Sequence, residues 1–177
     1  LSLCTSFNRL DVNVEFTQTA VGDRWLSHAL RDSDCSILGI EDSGHLVMSA
    51  PNPKGGRTIV GDGAASLLAV LCAMAVENKP PAFKRGFKQR IAINESNRSL
   101  WTGENELANE VESIANAVLD NLTRSGIDGE PNLMMLEKAG VSIGIRNSGT
   151  QAKTNVSLRV AAGIDIEKPI LAAQRIV

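Results

Sequence analysis

The sequence predicts a mixed fold, in which a partial α/β unit is followed by a small α+β domain. Patterns of short apolar strands alternate with patterns of amphipathic helices along the 177 residues. The sequence contains 43% apolar and 21% charged residues, which is typical of a globular protein. Pro80 and Pro81 form the clearest break, because proline lacks a backbone N–H and pushes the preceding residue out of helical geometry. We therefore predict an α/β unit over residues 1–78, a linker at 79–83 and an α+β domain over 84–177.

The first unit is predicted from two helical patterns and two strand patterns. A helix with one apolar side is predicted over 23–31, and short strands at 36–41 and 45–49 flank a polar turn. A second helix is predicted over 62–77, with Asp62 as its N-cap. Its apolar stripe consists of Leu67, Leu68, Leu71, Met74 and Ala75. Because so few strands make a thin domain, we expect the first elements of this unit to lie outside the sequence.

The second unit is predicted to be an antiparallel four-stranded sheet with two helices on one face. A strand at 88–93 precedes a long amphipathic helix at 104–124, which Gly126 ends. The predicted buried face of that helix consists of Leu107, Val111, Ile114, Ala115, Val118 and Leu122. The remaining predicted elements are strands at 133–137, 141–146 and 154–161 and a helix at 166–177.

Composition narrows the classes of partner. No apolar run approaches the roughly 18 residues of a membrane span, and a formal net charge of −2 without a basic stripe argues against nucleic acid. Cys4, Cys35 and Cys72 are widely spaced, as expected for reduced thiols in a cytoplasmic protein. With two histidines in the chain, a Cys/His metal cluster is not predicted. A small anion is the kind of ligand that this sequence suits.

A candidate phosphate-binding loop runs from Arg146 to Lys153 between two predicted strands. Arg146 offers a planar bidentate donor, Lys153 a point charge, and Ser148 and Thr150 hydroxyl donors. Gly149 is expected to adopt positive φ, so that neighbouring backbone N–H groups turn inward around an anion. The alternative is an ordinary Ser-Gly turn with a solvated Arg and Lys beside it.

A candidate sugar-binding loop is formed by Gly39-Ile-Glu-Asp-Ser-Gly-His45. Glu41 can accept hydrogen bonds from two adjacent hydroxyls, Ser43 can donate or accept, and His45 can donate to phosphate or move a proton. A tight polar hairpin turn explains the same residues. A serine-hydrolase interpretation of Ser43 and His45 fails, because the chain lacks the Gly-x-Ser-x-Gly elbow.

The two loops, in this order and with the helix start at Gly61-Asp-Gly63 between them, resemble the α-D-phosphohexomutase superfamily of phosphoglucomutases, phosphomannomutases and phosphoglucosamine mutases. The resemblance implies part of that family's third domain and its whole fourth, TBP-like domain. It also implies sugar binding by Glu41 and Ser43, with His45 as a catalytic group near the reacting hydroxyl. Phosphate binding is implied for the matching loop residues Arg146, Ser148, Gly149, Thr150 and Lys153.

The same resemblance implies an activity for a longer parent protein. That enzyme would be a magnesium-dependent phosphoprotein and isomerase, which interconverts hexose 1-phosphate and hexose 6-phosphate through a hexose 1,6-bisphosphate. The family's phosphoserine loop (Ser-His-Asn-Pro) and metal loop (Asp-Gly-Asp-x-Asp-Arg) do not occur in this sequence. We therefore expect no metal ligands in this chain, no activity from it alone, and partnership with N-terminal domains of the same enzyme and a phosphosugar.

Several positions depart from the family pattern. A third family-like segment, Phe16-Thr-Gln-Thr-Ala-Val-Gly-Asp-Arg-Trp25, has Gln18 and Ala20 where the family usually has Arg and an active-site Lys. In the phosphate loop, the family commonly has Pro, Glu and Pro where this chain has Asn147, Gln151 and Ala152. The loss of the Lys charge favours an alternative function, a non-catalytic phosphosugar-binding or regulatory module.

Overall fold

A computed structural model of the chain describes residues 17–31, 38–41, 44–76 and 85–177. The described residues form two compact units, one over 18–76 and one over 85–177. The predicted linker at 79–83 lies outside the described residues, so its boundaries stay a prediction.

The first unit contains two helices and a three-stranded antiparallel sheet in the order β1-β2-β3. Its elements are α1 (Asp23–Arg31), β1 (Leu38–Ile40), β2 (Leu46–Pro51), β3 (Arg57–Val60) and α2 (Gly63–Val76). Both predicted helices and both predicted strands are present. Sequence analysis missed β3, which is only four residues long and begins with the polar pair Arg57-Thr58. A turn with Gly55 and Gly56 at positive φ connects β2 to it.

Helix α2 begins as predicted but is more exposed than its apolar sequence suggests. The Asp62 carboxylate accepts hydrogen bonds from the backbone N–H groups of Ala64 and Ala65 at 2.8 and 3.1 Å, which confirms it as the N-cap. Four residues of the predicted stripe are more than half exposed, namely Leu67, Leu68, Leu71 and Met74. The described part of this unit is too small to cover the helix. Among the described residues, no helix combines the length and apolarity needed to cross a membrane.

The second unit is an antiparallel sheet of five strands, in the order β4-β8-β7-β6-β5, rather than the predicted four. Its elements are β4 (Phe87–Asn94), a 3-10 turn (Arg98–Leu100), α3 (Glu106–Leu119), β5 (Thr123–Ser125), β6 (Leu133–Lys138), β7 (Val141–Asn147), β8 (Lys153–Val160) and α4 (Glu167–Ile176). The extra strand β5 pairs with β6 at the sheet edge. The other four strands and the last helix lie where they were predicted, while the TBP-like likeness stays a prediction.

The prediction that the long helix continues to residue 124 and ends at Gly126 was wrong. Helix α3 ends at Leu119, because Asp120 and Asn121 adopt positive φ values of 50° and 53°. The Lys138 ammonium donates to the carbonyl oxygen of Leu119 at 2.5 Å, which satisfies one of the last helical acceptors. The residues beyond this stop are then available to form β5.

The core of the second unit lies between one face of the sheet and both helices. Inward side chains alternate along β8, where Thr154, Val156, Leu158 and Val160 are buried. Helix α3 contributes Ala108, Val111, Ala115 and Leu119, and α4 contributes Ala172 and Ala173. Of the predicted helical face, Leu107 is exposed. The small alanines allow the two helices to approach the sheet and each other closely, which gives the β7–β8 hairpin a rigid base.

Replacing Leu136 on β6 should test this core directly. Leu136 is fully buried, so Leu136→Ala is expected to lower the free energy of unfolding of this unit by about 2–5 kcal/mol. Urea denaturation in a Trp25→Phe background would follow the buried Trp101 alone. The matched control, Leu100→Ala, removes an exposed leucine and should change the midpoint little. Equal effects of the two substitutions would contradict this description of the core.

Candidate functional site

The predicted phosphate loop lies at the tip of the β7–β8 hairpin. Arg146 and Asn147 end β7, Lys153 begins β8, and residues 148–152 form the connection. The register pairs Asn147 with Thr154, and the N–H of Ser148 donates to the carbonyl oxygen of Lys153 at 2.7 Å. The hairpin ladder therefore brings both ends of the predicted loop together.

A buried asparagine fixes the base of this loop. The Nδ2 of Asn147 donates to the carbonyl oxygens of Arg98 and Trp101 at 2.9 and 3.0 Å, and its Oδ1 accepts from the Thr154 hydroxyl at 2.9 Å. In return, the Arg98 guanidinium donates to the carbonyl oxygen of Ser148 at 2.9 Å. These bonds tie the loop to the 3-10 turn. Sequence analysis noted Asn147 only as a departure from the family pattern, although a polar residue at an inward strand position could have indicated it.

The tip of the loop is held by the Ser148 hydroxyl, and the predicted positive φ of Gly149 was wrong. Gly149 does not adopt positive φ, and a Cβ placed on it would meet nothing within 4 Å. The loop turns instead because Ser148 Oγ accepts the backbone N–H groups of Thr150 and Gln151, at 3.4 and 3.3 Å. These bonds are long and weak, so an anion can replace the hydroxyl as the acceptor of both N–H groups.

The charge around the loop is positive, and a carboxylate offsets part of it. Arg146 forms an ion pair with Glu130 at 3.0 Å, with the two side chains 30% and 16% exposed. Lys153 is half-buried at the start of β8, and Arg98 adds a cation that the sequence analysis did not predict. Glu130 was also missed, because it lies 16 residues before its partner. The carboxylate orients Arg146 and offsets part of its positive potential.

The predicted sugar loop forms a tight hairpin between β1 and β2. The Glu41 N–H donates to the His45 carbonyl oxygen at 2.9 Å, and the Gly44 N–H donates to the Glu41 carbonyl oxygen at 3.0 Å. Gly44 has a φ of +93°, which favours glycine at this position. Ser43, the third predicted residue, lies outside the described residues. The hairpin thus fixes the backbones of Glu41 and His45 as neighbours on either side of its turn.

His45 has a second neighbour, which comes from helix α1. Its Nδ1 lies 3.2 Å from Oδ1 of Asp23, and the two side chains are 65% and 53% exposed. The Gly22 carbonyl oxygen accepts the N–H of Trp25 at 2.9 Å, and Asp23 is the first residue of α1. Beside the pair is a cavity of about 390 Å³, also lined by the start of α2.

Asp23, Glu41 and His45 also bring three potential metal-ligand atoms within 4.8 Å of one another. This group does not fit the Mg²⁺ that the family resemblance implies, because Mg²⁺ prefers an octahedral shell of oxygens and one of the three ligands is imidazole. Exposed acidic groups are also common without an ion. We assign no metal to this group.

Ala20, the residue in place of the family lysine, is buried. Its exposed fraction is 3%, and its neighbour Thr19 donates to its carbonyl oxygen at 3.1 Å. A small apolar side chain is therefore enclosed in the first unit at this position. A lysine side chain at this position would have to extend to solvent or to an acidic partner, because a charged group is not buried without a partner.

Two comparisons with known proteins agree with the motifs. A family model described as phosphoglucomutase/phosphomannomutase, alpha/beta/alpha domain III, matches residues 9–84, which contain the whole described first unit. A curated protein also matches across most of the chain. Both matches support the resemblance to the α-D-phosphohexomutase superfamily, and the family model includes the predicted sugar loop.

Within that superfamily, the matching protein is the phosphoglucosamine mutase of Listeria monocytogenes serotype 4b. The two sequences are 28% identical over 151 residues, which is 85% of this chain. The aligned region is 29% of the relative, so this chain spans less than a third of its length.

Asn147→Ala is expected to lower the free energy of unfolding of the second unit by at least about 2 kcal/mol, because buried carbonyl oxygens lose their donor. Urea denaturation would measure the change. Gln151→Ala, at an exposed position of the same loop, is the control and should be nearly neutral. A neutral Asn147→Ala would show that the amide does not hold the loop.

Gly149→Ala should change the free energy of unfolding by no more than about 0.5 kcal/mol, because the backbone needs no positive φ and the space is open. Gly140→Ala on the preceding hairpin is the contrast. Gly140 has a φ of +75° and a Cβ there would lie 2.1 Å from Cδ1 of Ile164, so a loss of more than about 1 kcal/mol is expected. Thermal or urea denaturation of both variants would compare them, and a large loss at Gly149 would restore the left-handed interpretation.

Proposed function

We propose that this chain supplies phosphosugar binding to a phosphohexomutase, an enzyme that interconverts hexose 1-phosphate and hexose 6-phosphate through a bisphosphorylated intermediate. The tied β7–β8 hairpin carries the proposal. It holds Arg146, Ser148, Thr150 and Lys153 at one turn, where cations and hydroxyl donors suit a phosphate dianion. Similarity to the phosphohexomutase superfamily supports the assignment.

The loop would bind the phosphate that is not being transferred. A phosphate oxygen would take the place of Ser148 Oγ as acceptor for the N–H groups of Thr150 and Gln151, while Arg146 and Lys153 supply charge. Arg98 donates to the loop backbone and adds positive potential beside it. Because the intermediate must turn around during the reaction, the same loop would accept the phosphate of either sugar end.

The β1–β2 hairpin would bind the sugar. Glu41 would accept hydrogen bonds from hydroxyl groups, Ser43 would donate or accept, and His45 would lie near the reacting hydroxyl. These roles are assigned from the family motif and the chemistry of the side chains. Binding energy from a distant phosphate would then serve to position the sugar.

The wider activity is proposed for a longer parent protein. Its catalytic phosphoserine and Mg²⁺ ligands would come from other domains, with hexose 1,6-bisphosphate as intermediate and activator, and this chain alone would be inactive. When bound, Mg²⁺ would neutralise charge on the transferred phosphoryl group. The cytoplasmic location remains a prediction from the cysteines.

Buried Ala20 favours a second candidate, a non-catalytic phosphosugar-binding or regulatory module. The family lysine assists phosphoryl transfer, and an enclosed methyl group cannot replace its charge. A mutase assay on the full parent protein distinguishes the candidates. Turnover of glucosamine 6-phosphate would support the enzyme, whereas binding of this sugar without turnover would support the module.

Titration of the 177-residue chain with glucosamine 6-phosphate tests the phosphate loop. Arg146→Ala is expected to raise the Kd by about tenfold or more, because hydrogen bonds between charged groups are lost. Chemical shifts of the Thr150 and Gln151 amides would measure binding at millimolar concentrations. Inorganic phosphate should shift the same amides, and glucosamine, which lacks the phosphate group, should not.

Two further variants complete this experiment. Arg175→Ala removes an exposed arginine from α4 of the same unit and should leave the Kd unchanged. Lys153→Ala should weaken binding while it leaves the ion pair between Arg146 and Glu130 intact. An unchanged Kd in both Arg146→Ala and Lys153→Ala would refute phosphate binding by this loop.

A further inference from the structure

Asp23 and His45 come from separate elements, yet their side chains meet. Asp23 is the first residue of α1, His45 precedes β2, and 22 positions separate them in sequence. The contact joins a carboxylate oxygen to one particular ring nitrogen, Nδ1, at 3.2 Å. A contact to one nitrogen matters chemically, because the two nitrogens of a neutral imidazole have opposite hydrogen-bonding roles.

The local backbone explains why the two side chains meet. Gly22 has a φ of +122°, a value that residues other than glycine rarely adopt. It immediately precedes α1, and its carbonyl oxygen accepts the first helical hydrogen bond, so that Asp23 lies in the first turn. A carboxylate is favoured there by the helix dipole. Gly39 of β1 allows the helix to approach, since a Cβ on it would lie 3.1 Å from Cβ of Leu26. The β1–β2 hairpin then fixes His45 on the other side of the contact.

We propose that Asp23 is a positioning residue for His45. An ionised carboxylate can only accept, so contact with Asp23 favours the neutral imidazole tautomer that carries its proton on Nδ1 and donates a hydrogen bond to the carboxylate. Nε2 is then left with its lone pair and can accept a hydrogen bond from a sugar hydroxyl. The inference rests on the proposed function of His45 in sugar binding, and it assigns to Asp23 a role that the family motif did not supply.

The surroundings of the pair allow this role. The adjacent 390 Å³ cavity is large enough for a small ligand and is lined by both residues. Among the described residues, Glu41 also has a carboxylate oxygen within 4.8 Å of the His45 ring nitrogen. Since the Asp23–His45 pair is exposed, we expect it to bias the tautomer ratio by about three- to fivefold rather than completely.

The tautomer of His45 can be measured without any sugar. Long-range ¹H–¹⁵N spectra of the 177-residue chain distinguish a protonated ring nitrogen from one with a lone pair, above the pH at which the imidazoles titrate in the same spectra. The chain has two histidines, and His28 on the exposed side of α1 is an internal reference. His45 should show an excess of the Nδ1–H form over His28, and Asp23→Ala should abolish the excess.

Two variants separate orientation from a loss of folding. Asp23→Asn keeps the size of the side chain and leaves a weaker hydrogen-bond acceptor. An intermediate tautomer ratio is therefore expected for His45, with unchanged backbone signals from α1. Lys54→Ala, at an exposed position after β2, should leave the ratio at its wild-type value. The proposal would be overturned if His45 and His28 had the same tautomer ratio in the wild-type chain. It would also be overturned if the excess of the Nδ1–H form remained in Asp23→Ala. Neither result depends on phosphosugar binding, which the Arg146 titration tests separately.

Discussion

The candidate phosphate site depends on the buried side-chain amide of Asn147. A buried amide with unmet hydrogen bonds is costly, and this one is satisfied by carbonyl oxygens of the 3-10 turn and by the Thr154 hydroxyl. The same bonds connect three parts of the chain that are remote in sequence. These bonds therefore hold together the end of β7, the start of β8 and residues 98–101. The position of the loop between the two strands is set by this connected base.

This arrangement also accounts for a departure from the family pattern. A proline at position 147 would stiffen the loop through its ring, whereas Asn147 stiffens it through hydrogen bonds. The tip beyond it is held more weakly, by long contacts to Ser148 Oγ. A rigid base with a weakly bonded tip suits an anion site, because the N–H groups are already close together and little is lost when a phosphate oxygen takes them over.

Sequence predicts most of the fold, because hydrophobic periodicity and turn residues are local properties. The core strands β4, β6, β7 and β8 and the Asp62 cap lie where these patterns placed them. The early end of α3 depends on Lys138, which reaches Leu119 from another strand. Periodicity cannot detect such a stop, and for the same reason it missed β5. Glu130, Arg98 and Asp23 escaped prediction as site residues because each meets its partner only after folding.

The two loops differ in what they can contribute to a reaction. A phosphate-binding loop far from the reacting atoms binds the ground state and the transition state equally well. Such binding accelerates the reaction only by holding the sugar in position. Acceleration of the transfer itself needs charge or proton acceptors beside the reacting hydroxyl. In the first unit, buried Ala20 removes one family charge, while Asp23 lies beside His45. The balance between catalysis and binding in this protein therefore depends on the first unit, and on whether an oriented imidazole can act without the lysine.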